Sequence, residues 1–264
     1  GTKTSSFYLS GSYFDQKGIV PNTGYQKYTV RFNGEQKVGI FSFTANAAYS
    51  RAHTDRTLTG AALFGSEGTG ALYAVYNWAP TDDMRHYLNE DGTRYKLFGE
   101  RLQPWDERDN PYWNTDRFTG SLGVTANVTK WWSISYKIGI DQYQQTNSNR
   151  IASNGAIKRV WQKGMMSDNT LNFTYFSQDL LSNMNYRFGD FDLSLLLGAH
   201  MDDTQTDTNS KIAWNFEVPD FFSYANATTA NKMFTHGASQ KRLFGLWRVP
   251  RILEELGLFD SYRT

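Results

Sequence analysis

Apolar and polar residues alternate with a period of two along most of this chain, the pattern of strands whose two faces meet different surroundings. Phe7, Leu9 and Tyr13, with Gly11 among them, share one face; Tyr8, Ser10 and Ser12 share the other. This run ends in the turn residues Asp15, Gly18, Pro21, Asn22 and Gly24. The next repeats it, with Tyr28, Val30 and Phe32 set against Thr29, Arg31 and Asn33. Four more runs follow, over Phe41–Tyr49, Phe118–Val128, Trp132–Ile140 and Phe191–Met201. An aromatic or aliphatic face backed by Ser, Thr, Asn and Arg fits a barrel wall with a wet interior better than a dry sandwich core. Runs of about ten residues match what a tilted strand needs to cross a bilayer. The rings at run ends, Tyr28, Trp131, Trp132, Tyr186 and Phe188, then stand at the height of interfacial girdles.

Short and long links alternate. Glu35 to Val38, Thr129 to Trp131 and Gly189 to Asp190 read as tight connections, whereas 53–116, about 147–169 and 204–240 read as long ones. Tight turns on one side and long loops on the other are the habit of outer-membrane barrels. The expected fold is therefore all-β: an antiparallel transmembrane β-barrel fragment of about seven or eight strands, with short periplasmic turns and long extracellular loops.

Composition narrows the function. The net charge is +1, which gives no basic surface for nucleic acid. The mean hydropathy of −0.59 and the lack of any apolar run near 20 residues exclude helical spans but not a barrel, whose interior face dilutes hydropathy. With no cysteine, disulfide and thiol chemistry are excluded. Gly1-Thr-Lys-Thr4 leads straight into a strand, which suggests either a mature chain or one that starts mid-protein.

Little in the sequence resembles catalysis. The glycines at 65–70 are not followed by Lys-Ser/Thr, so they are no phosphate loop. His53, His86, His200 and His236 lack ligand spacing, and no cofactor or metal is expected. Asp202 and Asp203, as strand neighbours, point to opposite faces and make no acid–base dyad. One loop cluster stands out: Trp105, Asp106, Glu107, Asp109, Asn110, Tyr112 and Trp113. Rings that stack on sugar C–H faces beside carboxylates that accept hydroxyl protons suit a carbohydrate; the structural alternative is a loop anchored by its own aromatics. Trp105, Asp106, Asp109, Tyr112 and Trp113 are the candidate ligand-binding residues, with no catalytic residue among them.

The segment from Tyr8 through Gly18-Ile-Val-Pro-Asn-Thr-Gly-Tyr25 to Tyr28 resembles the early barrel of the SusC/RagA family of TonB-linked outer-membrane receptors. Asp109-Asn-Pro-Tyr-Trp113 resembles that family's Asn-Pro-aromatic loop, and the phasing of 116–201 is similar to its barrel as well. The resemblance covers residues 1–247 and implies a non-enzymatic importer of oligosaccharides or peptides in the outer membrane of a Gram-negative cell. It also implies a SusD-like surface lipoprotein as lid, outer-membrane lipid around the wall, and TonB as energy source. The plug domain and the TonB-binding segment match no residue of this sequence. A soluble carbohydrate-binding or glycoside-cleaving β protein is the other function class the residues permit.

Residues 248–264 break the pattern. They lack alternation and look faintly helical. Back-translated with suitable codons and read one base later, they give AFRVSWKNWAYLTVTG, which alternates and resembles the family's next strand pair. Two G bases restored after the Trp247 codon join that phrase to the preceding strand. The expected organisation is a partial receptor barrel over 1–247 and a frameshifted, non-native tail over 248–264.

Overall fold

A computed structural model describes residues 1–57, 75–76, 78–86, 89–91, 96–97, 100–101, 111–153, 163–189 and 191–254. Three strands open the chain: β1 (Ser5–Lys17), β2 (Gly24–Val38) and β3 (Phe41–Asp55). Two short ones, β4 (Lys96–Leu97) and β5 (Glu100–Arg101), pair only with each other inside the longest link. Five long ones follow: β6 (Tyr112–Asn127), β7 (Trp132–Ile151), β8 (Met165–Phe188), β9 (Phe191–Trp214) and β10 (Lys232–Glu254). Eight strands form one antiparallel sheet in the order β1-β2-β3-β6-β7-β8-β9-β10, so each is hydrogen-bonded to its neighbours in this chain order. No helix among the described residues is long and apolar enough to cross a membrane, which says nothing about strands.

The register carries one apolar face across all eight strands. Leu9 lies opposite Phe32 and Phe32 opposite Ala47; Phe43 lies opposite Val124 and Val124 opposite Tyr136. Tyr136 then meets Leu180, Leu180 meets Ala199, and Ala199 meets Leu246. Residues one step away carry hydroxyls, amides and charges. Among the described residues no second layer packs on the apolar faces: Phe7 is 74% and Leu9 68% exposed. A wall with its hydrophobic side bare has lipid as its natural neighbour.

That face has sharp limits. At the end with the tight turns it closes on rings: Trp131 stacks on Trp132 at 6.3 Å and meets Tyr186 edge-on at 5.7 Å. At the other end, Tyr13 lies 4.7 Å from Tyr28, and the Tyr49 hydroxyl donates to Asp116 at 2.5 Å. Just past Tyr49 the same face carries the Arg51–Asp116 pair at 3.9 Å; just past Met201 and Phe244 it carries Arg242–Asp203 at 2.8 Å. From Phe41 to Tyr49 is about 26 Å along the strand, which tilt brings close to the height of an apolar membrane band.

The connections differ from expectation in place rather than in kind. Glu35 to Val38 is not a link but the end of β2; the chain reverses at Gly39 and Ile40. Gly39 and Gly189 both sit at φ 59, the left-handed conformation that a two-residue reversal requires. The long links are shorter than the sequence implies, at 56–111, 152–164 and 215–231. Beyond the band both faces of a strand are polar, so alternation vanishes there although the hydrogen-bonded ladder continues.

Pairing also runs past Trp247, where no strand was expected. Arg248 to Glu254 pair with Leu197 to Phe191, while 255–264 lie outside the described residues. A ladder of backbone groups does not depend on side-chain pattern, so β9 can template its neighbour regardless of sequence. The side-chain pattern does break: Leu246 and Phe244 hold the apolar face, but Arg248 then occupies it, opposite Leu197.

Candidate functional site

The long links gather at one end of the wall, and the strands that carry them rise well past the apolar band. Trp105, Asp106 and Asp109 lie outside the described residues. Tyr112 and Trp113 open β6, where a strand sends neighbours to opposite sides. They therefore do not form one platform. Trp113 is on the polar face, with the Arg56 guanidinium 3.7 Å over its ring. Tyr112 is on the other face, 5.8 Å from the His53 ring and 5.8 Å from the Arg150 guanidinium carbon. The Arg56 N–H donates to Pro111 O at 2.9 Å, closing the neck of the 56–111 link between these two groups. One face of the Trp113 indole is thus already covered by protein.

His53 lies beside Tyr112. Its Nδ1 is 2.6 Å from Asn114 Oδ1 and its Nε2 is 3.0 Å from Asp55 Oδ1. The hydrogen bond to Asn114, helped by the Asp55 carboxylate, raises its pKa above the ordinary histidine value.

A ledge that the sequence did not announce folds against β8 and β9 from the 215–231 link. Its centre is Phe216, fully buried on Met166, Ala213 and Ala227, with Phe222 and Tyr224 at the edge. The Asn226 side chain donates to Val218 O and Phe221 O, both at 2.7 Å, and accepts from the Val218 N–H at 2.9 Å. Asp220 accepts from the Ser153 N–H at 2.6 Å and from the Ser153 hydroxyl at 3.0 Å, tying this link to the 152–164 link. Gly164 has φ +97, and an added Cβ would come within 2.8 Å of the Phe216 ring. Beneath the ledge, the Tyr224 hydroxyl donates to Asp168 at 2.7 Å, and Ser148 and Arg150 complete the cluster. Burial, reinforced by the bond to Asp168, pushes the Tyr224 phenol well above the ordinary tyrosine range.

The polar face of the wall holds a second network. Arg117 grips Asp141 through two N–H groups, at 2.9 and 2.6 Å. His200 stands between Asp179, 2.6 Å from Nδ1, and Asp202, 2.8 Å from Nε2; Asp202 also accepts from the Tyr175 hydroxyl at 2.5 Å. Asp203, on the opposite face, takes Arg242 and Gln240 instead. Apart from His200–Asp202, which lie two residues apart on β9, these pairs are cross-strand, so only register reveals them. Opposite charges scattered along the chain were the only hint. Asp202, Asp203 and Asp207 do not converge on an ion, and no metal-holding group of His, Cys, Asp or Glu is found among the described residues.

No family model matches the chain. A curated relative, TonB-dependent receptor P3 of Formosa agariphila, is 32% identical over 113 residues, which is 42% of this chain and 10% of that protein. Among solved structures, the RagAB peptide transporter superposes with a TM-score of 0.72 at 16% identity, covering 94% of this chain and 28% of that one. The siderophore receptor PiuA of Acinetobacter baumannii superposes at 0.55 with 11% identity, covering 94% and 36%. The chain therefore spans about a tenth of its curated relative and under a third of the RagAB chain. RagAB and PiuA share the fold, a wall of an outer-membrane β-barrel, and the curated relative is a TonB-dependent receptor. The chain is thus similar to a stretch of the barrel of TonB-dependent receptors, and its fold is that of a barrel wall.

Proposed function

We propose that the receptor containing this chain imports an oligosaccharide or a peptide across the outer membrane, energised by TonB, and that this chain supplies eight strands of the pore wall. The observation that carries this reading is the single register that keeps hydrocarbon on one side and hydroxyls, amides and ion pairs on the other. The likeness in fold supports it: the superposed proteins are a peptide transporter and a siderophore receptor. The wall itself does no covalent chemistry. TonB acts through the receptor's N-terminal region, and a SusD-like lipoprotein meets the extracellular ends. Trp105, Asp106, Asp109, Tyr112 and Trp113 contribute to ligand capture or lid docking from the 56–111 link. In the full-length receptor, Trp105→Ala with Trp113→Ala should weaken ligand capture or lid association several-fold, because ring contacts contribute about 0.5–1.5 kcal/mol each. Uptake that persists in cells lacking TonB would overturn the import reading. Unchanged capture and lid association in the double variant, at normal surface levels, would reduce those rings to loop anchors.

We further propose that residues 248–264 are read in a shifted frame. The break in side-chain pattern at Arg248 supports this. In the shifted reading, positions 248, 250, 252 and 254 become Gly, Phe, Val and Trp, and the apolar side of β10 continues without a charge. Sequencing the encoding DNA tests it, and an unrelated phrase one base along would sink it.

A further inference from the structure

The outward side of β7 to β10 changes character above the apolar band. Ile140 and Phe176, opposite each other, are its last hydrocarbon there. In the next row Gln142 lies opposite Thr174, Thr174 opposite Gln205, and Gln205 opposite Gln240. The two rows beyond it, up to Thr146 and Thr170, are again Gln, Asn or Thr on β7 and β8. Across the three rows no lysine or arginine stands on this side, and Asp207, 3.7 Å from His236, is the one carboxylate. The same rows carry charge once they reach β6 and β3: Gln144 lies opposite Asp116, which pairs with Arg51. One row higher still, the ledge closes the patch where Tyr224 bonds to Asp168, opposite Ser148. From Ile140 to Ser148 is about 26 Å along the strand. Completing the barrel adds strands beside β1 and β10 and fills the interior, and neither covers the outward side of β7, β8 and β9.

We propose that this patch seats the neutral sugar headgroup of a glycolipid in the outer leaflet. It is continuous with the lipid-facing band, so a molecule whose acyl chains lie along Ile140 and Phe176 presents its headgroup to the row of Gln142 and Gln205. Amides and hydroxyls both donate and accept, as sugar hydroxyls do. A phosphate or another acidic headgroup calls for Arg or Lys, which these rows lack. The ledge sets the upper limit of the seat. The proposal holds whatever ligand the receptor imports, since that ligand travels on the other side of the wall.

The test is native mass spectrometry of the detergent-purified full-length receptor titrated with two lipids of the same acyl chains. Digalactosyl diacylglycerol carries neutral sugars, and phosphatidylglycerol carries a charge and no sugar. The parent should bind the galactolipid about tenfold tighter, the scale of two or three net hydrogen bonds. Gln142, Gln144 and Gln205 are exposed, so replacing all three by Ala leaves packing intact and should bring the two lipids within about twofold. Gln145→Ala, at the same height on the opposite side of β7, should retain the full preference. Equal binding of the two lipids by the parent, or a preference that survives the triple replacement, overturns the proposal. So does a concentration-dependent dimer that the triple replacement abolishes, because the patch would then belong to a second copy. Heat-modifiable gel mobility verifies that each variant has folded. Lipid binding in detergent does not need TonB, so failure here and failure of TonB-dependent uptake in cells are separate results.

Discussion

β1–β3 and β7–β9 are the same kind of strand cut to different lengths. The first three run 13 to 15 residues and end about one turn past the apolar band; the other three run 20 to 24 and carry about ten residues beyond it. Inside the band, one rule suffices: hydrocarbon out, polar groups in. Above it the rule is replaced by specific bonds, Tyr224 to Asp168, Asp220 to Ser153 and Asn226 to its own loop, with Phe216 as a small private core. The lower wall needs only to be greasy on the correct side, whereas the upper wall has to be built residue by residue. Solvent makes the difference. Lipid penalises any exposed charge and so organises a whole face at once, while water is indifferent and leaves order to local contacts.

This contrast predicts different kinds of damage. The largest effect is expected from Phe216→Ala, since emptying a fully buried phenylalanine site costs about 3–5 kcal/mol. The loss should stay in the ledge: proteolysis between 215 and 231 should accelerate while the barrel keeps its heat-modifiable gel mobility. Loss of the whole barrel would show that the two regions are one cooperative unit.

Next come two arginines on one strand and one face, at two heights. Leu180→Arg, inside the band, should cost about 2–4 kcal/mol in unfolding from bilayers, and Thr170→Arg, ten residues higher, about 0–1. The same contrast holds for Val124→Arg and Leu195→Arg, which face lipid opposite Tyr136 and Met184. Equal costs at 180 and 170 would mean that the hydrocarbon reaches the ledge. A third test removes the Asn226 amide. Asn226→Ala leaves the Val218 N–H and two carbonyls without partners and should cost about 1–3 kcal/mol, read as faster amide exchange confined to 218–226.

The smallest expected effect is a pH response. The folded-state pKa of Tyr224 is raised, so its contribution is complete below the ordinary tyrosine value near 10 and is lost as the pH climbs through the higher folded value. Exchange protection of the ledge should therefore fall above about pH 10, and Tyr224→Phe should flatten that slope. An unchanged slope in the variant would assign the alkaline loss elsewhere.

The same contrast explains what the sequence disclosed. Phe41 to Tyr49 and Trp132 to Ile140 could be placed on strands and faces because lipid imposes a period of two there. Strand ends could not. Above the band the outward side turns polar, as at Gln142, Asn172 and Gln205, so β7 and β8 seemed about five residues short and β9 about ten. Glu35 to Val38 looked like a turn for the reason that it is polar, although the residue able to reverse the chain was Gly39. Of the candidate ligand residues, Tyr112 and Trp113 were legible as aromatics beside a strand. That they look to opposite sides followed only once β6 was known to begin at Tyr112. The clamp on His200 was invisible, because Asp179 is 21 residues away and meets it only through the β8–β9 register.

The ledge borrows half of its core. Met166 and Ala213 belong to strands, and Phe216 has nothing else to bury against until β8 and β9 stand side by side with those residues level. This imposes a sequence of events on biogenesis. The link must travel as an open, pliable loop while the hairpin is being installed, and it can close only afterwards. A closed ledge therefore exists only where the two neighbouring strands are already in register, so its closure reports that step of assembly.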